Sequence, residues 1–230
     1  EYYTLANNIA RTETAEEARL VDKKTINAWI GHPHFRIIDN STDFDGKMDK
    51  LMSEIYTVLG LPIPIEIENK YLIKMPNLDE IMSKYNAVKS EIIQIYLSSQ
   101  NPNEELRIRQ RGIDGSYSYY FTKKIKRNDN SRYEIEEKIS SDRYLELLTH
   151  TDPKYSVIKK TRYCFVYMNQ YFELDIYSIN PEYAILEIEL TKENTIVNIP
   201  PEIKVLKNVT ADDRFKNSNI AKNINIFDQI

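Results

Sequence analysis

The chain has 230 residues, of which 41% are hydrophobic and 29% are charged, so it can bury a sizeable core. Its 31 basic and 35 acidic residues give a formal net charge of -4, which argues against a globally basic surface for nucleic acid or anionic membranes. Cys164 is the single cysteine, which excludes an intrachain disulfide and fits a reducing compartment. Because no apolar run approaches the roughly 20 residues that cross a bilayer, and no signal peptide is apparent, we expect a soluble cytoplasmic protein.

The first 61 residues carry helix and strand signals typical of an α/β domain. Residues 11–32 predict an amphipathic helix with Thr12 or Thr14 as its N-cap. The segment HFRIID, residues 34–39, predicts a buried strand, and residues 41–60 predict a second helix that ends at Gly60. Three elements are too few for an independent domain of this type, and the chain begins with Glu rather than Met. We therefore expect the last unit of an α/β domain whose remainder is absent.

Two motifs in the chain bear on nucleotide or metal binding. The five glycines form no G-x-x-x-x-G-K-[ST] arrangement, so this chain cannot build a phosphate-binding P-loop. His32 and His34 lie two residues apart beside a proline, but no third ligand is close in sequence. We interpret the two histidines as loop residues rather than as a metal site.

Downstream of Pro64 the sequence changes to a series of short, alternating segments rich in tyrosine. It predicts eight strands, near residues 64–74, 90–98, 104–111, 117–126, 132–139, 156–168, 170–178 and 183–191. Helices are predicted at 77–85, after the first strand, and at 141–150, after the fifth.

Charged residues occupy alternate positions in these strands, so each strand places them on one face. The basic strands carry Arg107, Arg109 and Arg111, then Lys124 and Lys126, and later Lys160 and Arg162. The acidic strands carry Glu134 and Glu136, then Glu173 and Asp175, and finally Glu187 and Glu189. Solvated faces usually mix both signs along a strand, whereas here whole strands carry one sign. The opening strand, with Glu66, Glu68 and Lys70, places three charges on one face.

Like charges on one face are costly unless an opposite charge lies between them, and eight antiparallel strands are enough to close around a ligand. We therefore predict an α+β protein, mainly antiparallel β, with an eight-stranded closed β-barrel tunnel and flanking helices. Clustered carboxylates favour Mg²⁺ or Mn²⁺, and clustered Arg and Lys favour phosphate oxygens. The predicted ligand is thus a metal-bound chain of phosphates. The competing interpretation is a barrel whose charges face water, without a tunnel.

The segment EIENK, residues 66–70, resembles the E-x-E-x-K motif that opens the CYTH domain, also called the triphosphate tunnel metalloenzyme fold. The later R-x-R, Lys, E-x-E, K-x-R, ELD and last E-x-E motifs follow in the order of that family, as far as residue 221. We accordingly expect a CYTH domain at 62–230. Residues 1–61 resemble the end of the P-loop NTPase domain that precedes CYTH in proteins similar to the TRPL translocation defect protein, and ATP or GTP would bind through the missing part of that domain.

The resemblance also implies roles for individual residues. The metal ligands would be Glu66, Glu68, Glu187 and Glu189. The phosphate-binding residues would be Lys70, Arg107, Arg109, Lys124, Lys126, Lys160 and Arg162. The catalytic residues would be Glu66, Glu68, Lys70, Glu134 and Glu136, with the last two near the second metal or the attacking water. The implied chemistry is in-line attack of a metal-activated water on a terminal phosphorus.

These inferences predict a divalent-metal-dependent hydrolase of inorganic triphosphate, another polyphosphate, or a nucleoside or RNA 5′-triphosphate. Nucleic acid is expected as a partner only through such an RNA end. One alternative is a non-catalytic sensor of phosphorylated ligands, coupled to an upstream ATP- or GTP-binding domain. A nucleotidyl cyclase is a third possibility, although no motif is typical of a base or ribose site. Cys164 is expected to be a core residue.

Overall fold

The computed structural model describes residues 10–32, 35–38, 43–59, 68–126, 132–190, 195–222 and 227, without the side chains of residues 45, 57, 126, 132 and 133. The helices are α1 (Ala15–Trp29), α2 (Phe44–Val58), α3 (Leu78–Tyr85), α4 (Ser141–Leu147) and α5 (Asn217–Lys222). The strands are β1 (Glu68–Lys74), β2 (Val88–Leu97), β3 (Glu104–Ile113), β4 (Ser116–Lys126), β5 (Arg132–Ile139), β6 (Ile158–Tyr167), β7 (Gln170–Tyr177), β8 (Tyr183–Glu189) and β9 (Val205–Asn208).

All nine strands belong to one antiparallel sheet with the order β5-β4-β3-β2-β6-β7-β8-β1-β9. Within the described part of the chain, no backbone ladder joins the edge strands β5 and β9, so the sheet is not closed by hydrogen bonds. The prediction of a closed eight-stranded barrel is therefore wrong. Alternation along a strand reports its two faces, but it does not report which strands pair at the ends of a sheet.

Each of the eight predicted strands is present, and β9 is the addition. All four residues of β9 are exposed, so the burial that produces an alternating pattern elsewhere is lacking. Tight hairpins fix the register of the predicted strands. For example, Asp114 and Gly115 have φ angles of 51° and 85° between β3 and β4, as a two-residue type I′ turn requires.

The N-terminal residues form the two predicted helices but not the predicted strand. Thr14 caps α1, because its hydroxyl accepts a hydrogen bond from the Glu17 backbone nitrogen at 3.2 Å. Residues 35–38, the described part of the predicted strand, have no strand conformation. The helix-strand-helix prediction is therefore wrong in its middle element. The described sheet has no ladder position for these residues, so an apolar run alone did not make a strand here.

The outer face of the sheet carries most of the core. Ile108 is buried with Tyr144 and Leu147 of α4, and Leu186 is buried in a cluster with Ile81 of α3. These contacts agree with the predicted orientation, in which apolar residues face helices and the intervening charges face inward. Burying each such Leu or Ile stabilises the fold by about 1.5–3 kcal/mol.

A third cluster lies on the inner side of the sheet. Leu72 and Ile185 follow the alternation of Lys70 and Glu187 on their strands, and they pack with Phe215 and Ile220 of the C-terminal residues. The inward face of β1 and β8 thus changes from charged to apolar along its length. Among the described residues, no helix is both long and apolar enough to span a membrane.

Candidate functional site

A cavity of about 680 Å³ lies against the inward face of the sheet. Strands β1 to β8 all contribute lining residues, and so do α2 and residues 36–37. The lining includes eleven of the predicted site residues, Glu68, Lys70, Arg107, Arg109, Lys124, Glu134, Glu136, Lys160, Arg162, Glu187 and Glu189. Of the other two, Glu66 lies outside the described residues, and the side chain of Lys126 is not described.

The first group of charges, called here the β3–β5 cluster, consists of Arg107, Arg109, Lys124, Glu134 and Glu136. Arg107 Nη2 lies 3.0 Å from Glu134 Oε1, and Lys124 Nζ lies 2.5 Å from Glu134 Oε2. Arg109 Nη2 donates to Glu136 Oε2 at 2.7 Å. The basic strands β3 and β4 thus find their counter-charges on the acidic edge strand β5.

The second group, called the β6–β8 cluster, consists of Lys160, Arg162, Glu173, Asp175 and Glu187. Arg162 donates to both oxygens of Asp175 at 2.6 Å, to Glu187 Oε2 at 2.9 Å, and also to Glu173. Lys160 donates to Asp175, whose side chain has no solvent exposure. This cluster is a buried ion network centred on one arginine and one aspartate.

Lys70 extends the β6–β8 cluster onto β1. Its Nζ lies 2.7 Å from Glu187 Oε1 and 3.0 Å from Glu68 Oε2. The register of β1 and β8 places Lys70 opposite Glu187 and Glu68 opposite Glu189. The last of these pairs sets two like charges against each other, which favours a cation nearby.

The family assignment comes from a domain match over residues 64–204, more than half of the 230 residues. The chain belongs to the CYTH domain family. No curated protein matches it.

Solved structures with detectable similarity include the inorganic triphosphatase NE1496, which is 27% identical, with coverage of 70% of this chain and 96% of that chain and a TM-score of 0.48. Another is the PH1819 protein from Pyrococcus horikoshii OT3, at 24% identity, with coverage of 56% and 80% and a TM-score of 0.43. Because these TM-scores are low, the assignment rests on the domain match.

Two buried donors of the CYTH domain have no acceptor among the described residues. Arg107 Nε and Arg109 Nε have no hydrogen-bond partner in the described part of the chain. An unpaired donor on a charged group costs free energy when it is buried, so an acceptor brought by a ligand would be stabilised there. Both nitrogens belong to the β3–β5 cluster.

The ionisation of the CYTH cavity follows from its ion pairs. Burial raises the pKa of Glu187, but the positive charges of Lys70, Lys160 and Arg162 lower it by more. The pKa of Glu187 is therefore well below its usual range. The pKa of Glu136 is likewise lowered, because Arg109 and Arg107 outweigh its burial. Both carboxylates are therefore ionised at neutral pH. The pKa of Lys160 is lowered from its usual value, because burial outweighs the attraction of Asp175.

The donor chemistry of the CYTH cavity fits Mg²⁺ or Mn²⁺, because Glu68, Glu187 and Glu189 supply hard oxygens to one cavity. In the described residues, however, no three His, Cys, Asp or Glu side chains are grouped as metal ligands. Both oxygens of Glu187 already accept hydrogen bonds from Lys70 and Arg162. A cation held by Glu68, Glu187 and Glu189 would therefore have to compete with Lys70 and Arg162 for carboxylate oxygens, and Glu66 lies outside the described residues.

Several charged residues in or next to the cavity are not among the predicted site residues. Glu173 and Asp175 stood out as an acidic pair, and the structure places both in the β6–β8 cluster. Arg36, from the N-terminal residues, also lines the cavity, although nothing in its local sequence signals a site. Cys164 is buried as expected, at 3.6 Å from Arg111 Nη2. His32 packs against Trp29 with ring centroids 5.5 Å apart, and His34 lies outside the described residues.

Proposed function

We propose that this CYTH domain binds triphosphates in the cavity and hydrolyses a phosphoric anhydride bond with the help of Mg²⁺ or Mn²⁺. The observation that carries the proposal is the pair of buried guanidinium nitrogens, Arg107 Nε and Arg109 Nε, that lack an acceptor in the described residues. Each lies in a cavity lined by several further cations. Arginine binds phosphate oxygens in its plane with two parallel hydrogen bonds, which suits this arrangement.

On binding, phosphate oxygens would replace carboxylates as hydrogen-bond acceptors of the arginines, because the positive charges of the cavity are already paired with glutamates. Arg107 pairs with Glu134, and Arg109 pairs with Glu136. Phosphate oxygens offer a second set of acceptors to the same guanidinium groups, while the two unpaired nitrogens gain hydrogen bonds. Each charge-assisted hydrogen bond of this kind contributes about 1.5–3 kcal/mol.

For the chemical step, we propose that Glu68 and Glu189 hold the divalent cation, with Glu66 and Glu187 as the further ligands that the family resemblance implies. When bound, the cation would neutralise charge on the phosphoryl oxygens and lower the pKa of a water molecule. Glu136 accepts hydrogen bonds from Thr122 at 2.9 Å and from Arg109 at 2.7 Å. Because its pKa is lowered, Glu136 is a weak base, and we assign it the orientation of the attacking water rather than its deprotonation.

The test is phosphate release from tripolyphosphate, ATP, GTP and RNA 5′-triphosphate, each with magnesium, with manganese and with a chelator. We expect turnover of at least one substrate only with a divalent cation, and loss of turnover in Glu68→Gln with binding retained. Arg143→Ala is the matched control, because Arg143 forms an exposed ion pair on α4 outside the cavity lining. Release that persists in Glu68→Gln at the wild-type rate would contradict the proposal.

A non-catalytic sensor of phosphorylated ligands is the second candidate. It is favoured by the ion pairs of Lys70 with Glu68 and Glu187, which engage two of the predicted metal ligands. A sensor needs only the cations, whereas hydrolysis also needs a positioned water. Tight binding of triphosphates in calorimetry, with no phosphate released under any of these conditions, would establish the sensor in place of the hydrolase.

The division into residues 1–61 and 62–230 remains a proposal, as does the relation of the first part to a P-loop NTPase. The exposed apolar side chains of α1, among them Leu20, Val21 and Trp29, support a further covering element. Limited proteolysis tests the boundary. After a cut between residues 59 and 68, we expect the C-terminal fragment to remain folded. Loss of the fold of 62–230 on cleavage would show one inseparable unit.

A further inference from the structure

Arg36 lies outside the residues matched by the CYTH family, yet its side chain lines the same cavity. Its Nε donates to Glu54 Oε2 of α2 at 2.5 Å, and its Nη1 donates to the Phe35 carbonyl at 2.9 Å. The guanidinium group is therefore held by the N-terminal residues while it faces the CYTH residues.

The residues on either side of Arg36 are seated on the sheet by defined contacts. The Phe35 ring meets Tyr171 of β7 edge to face, with centroids 5.7 Å apart. Gly31 has a φ of +85°, and a Cβ added there would lie 2.5 Å from Val88 Cγ1 of β2. Arg111 Nη2 donates to the Gly31 carbonyl at 3.4 Å. The close approach at Gly31 and the aromatic contact at Phe35 together fix where Arg36 enters.

The charges around Arg36 come from both parts of the chain. Burial lowers its pKa, but Glu189, Glu54 and Glu173 raise it by more, so the group is firmly cationic. Glu189 is the residue that faces the like-charged Glu68 across the β1–β8 register. Arg36 and Glu189 line the same cavity, so Arg36 places a positive charge near one of the carboxylates that would hold a divalent cation.

We propose that Arg36 is a ligand-binding residue of the cavity, which contacts phosphate oxygens of the triphosphate and opposes binding of a divalent cation when no triphosphate is present. The inference rests on the proposed function and extends it to a residue outside the CYTH domain. A guanidinium group carries five donors in a planar fork, so it can retain Glu54 while it donates to a phosphate. Its charge attracts a polyanion and repels Mg²⁺ or Mn²⁺, so the two affinities depend on it with opposite sign.

This opposite dependence separates a ligand-binding role from a purely structural one. If Arg36 only anchored the N-terminal residues, its loss would lower both affinities or change neither. If it binds phosphate, Arg36→Ala weakens tripolyphosphate binding and strengthens cation binding. Arg36→Lys keeps the charge but loses the planar fork of donors. We therefore expect this variant to have the cation affinity of wild type and a tripolyphosphate affinity between those of wild type and Arg36→Ala.

The experiment uses the full chain and two calorimetric titrations, tripolyphosphate without metal and MnCl₂ without tripolyphosphate. For Arg36→Ala we expect tripolyphosphate affinity to fall at least about tenfold and Mn²⁺ affinity to rise several-fold. Arg109→Ala reports on the proposed function, and Arg143→Ala is the surface control. Near-ultraviolet circular dichroism shows that each variant is folded.

Wild-type tripolyphosphate affinity in Arg36→Ala, together with weakened binding in Arg109→Ala, would overturn the role of Arg36 and leave the proposed function intact. Parallel loss of both affinities in Arg36→Ala would also overturn it in favour of a structural role. If wild-type protein does not bind tripolyphosphate, this inference fails, whereas the proposed function fails only if none of tripolyphosphate, ATP, GTP and RNA 5′-triphosphate is hydrolysed with a divalent cation.

Discussion

The β3–β5 and β6–β8 clusters use the same residue types, but they differ in burial and in hydrogen bonding. In the β6–β8 cluster, the side chains are 0% to 8% exposed, except that of Glu173 at 22%. In the β3–β5 cluster, the side chains are 9% to 23% exposed, and two guanidinium nitrogens lack acceptors in the described residues. One cluster is a closed ion network, and the other can exchange partners.

This difference indicates that one cluster stabilises the fold and the other binds the ligand. A buried ion pair whose hydrogen bonds are complete is costly to disturb, so it can hold a framework in place. A cluster with unpaired donors and access to water can accept an anion at lower cost. We therefore expect substitutions in the β6–β8 cluster to act mainly on stability and those in the β3–β5 cluster mainly on ligand affinity.

Asp175→Ala should produce the largest effect. It leaves Lys160 and Arg162 buried without their shared carboxylate, and we expect the free energy of unfolding to fall by about 3–5 kcal/mol. Urea denaturation followed by circular dichroism measures the change. Glu136→Ala is the matched control, and we expect a loss of about 1–2 kcal/mol because the side chain of its partner Arg109 is 16% exposed, whereas that of Arg162 is 8% exposed. Equal losses in the two variants would remove the distinction between the clusters.

Arg109→Ala should produce the reverse outcome. We expect tripolyphosphate affinity to fall at least about tenfold in calorimetry, because a charge-assisted donor pair is lost. The midpoint of urea denaturation should change little compared with Asp175→Ala. An affinity equal to that of wild type would show that the unpaired nitrogen of Arg109 does not serve the ligand.

The pH dependence of stability sharpens the comparison further. The folded pKa of Glu187 is lowered, so its stabilising contribution is complete above the unfolded pKa of about 4.3 and is lost as pH falls through the folded value. Below about pH 4, the free energy of unfolding should therefore decrease less steeply with falling pH in Glu187→Gln than in wild type. The measurement is urea denaturation at several pH values. An unchanged slope in the variant would mean that Glu187 is not ionised in the folded network.

Salt should produce the smallest effect on stability and still distinguish the clusters. Between about 0.05 and 0.5 M NaCl, we expect tripolyphosphate binding to weaken, because mobile ions screen the approach of a polyanion. The stability of the ligand-free protein should change by less than about 1 kcal/mol, because the β6–β8 pairs are shielded from those ions. A stability loss as large as the affinity loss would show that both clusters are equally open to water.

The sequence by itself determined the features that depend on near neighbours along the chain. Alternation with a period of two located the eight strands and placed Glu68, Arg107, Arg162 and Glu187 on their inward faces. The helix signals located α1 to α4, and the order of the motifs indicated the CYTH family, which the domain match confirms. These properties are local because side-chain direction in a strand or helix is set by the backbone of a few residues.

Only the tertiary structure decided which of those segments meet. Strands that carry charges of one sign predicted that a ligand must neutralise those charges. The strand order instead sets Arg162 beside Asp175 and Arg109 within reach of Glu136, so the side chains neutralise one another. The order also leaves β5 and β9 as edges, and the fold brings Arg36 to a cavity whose charged strand residues are far away in sequence. Such pairings depend on contacts between distant segments, and no periodicity within a single segment encodes them.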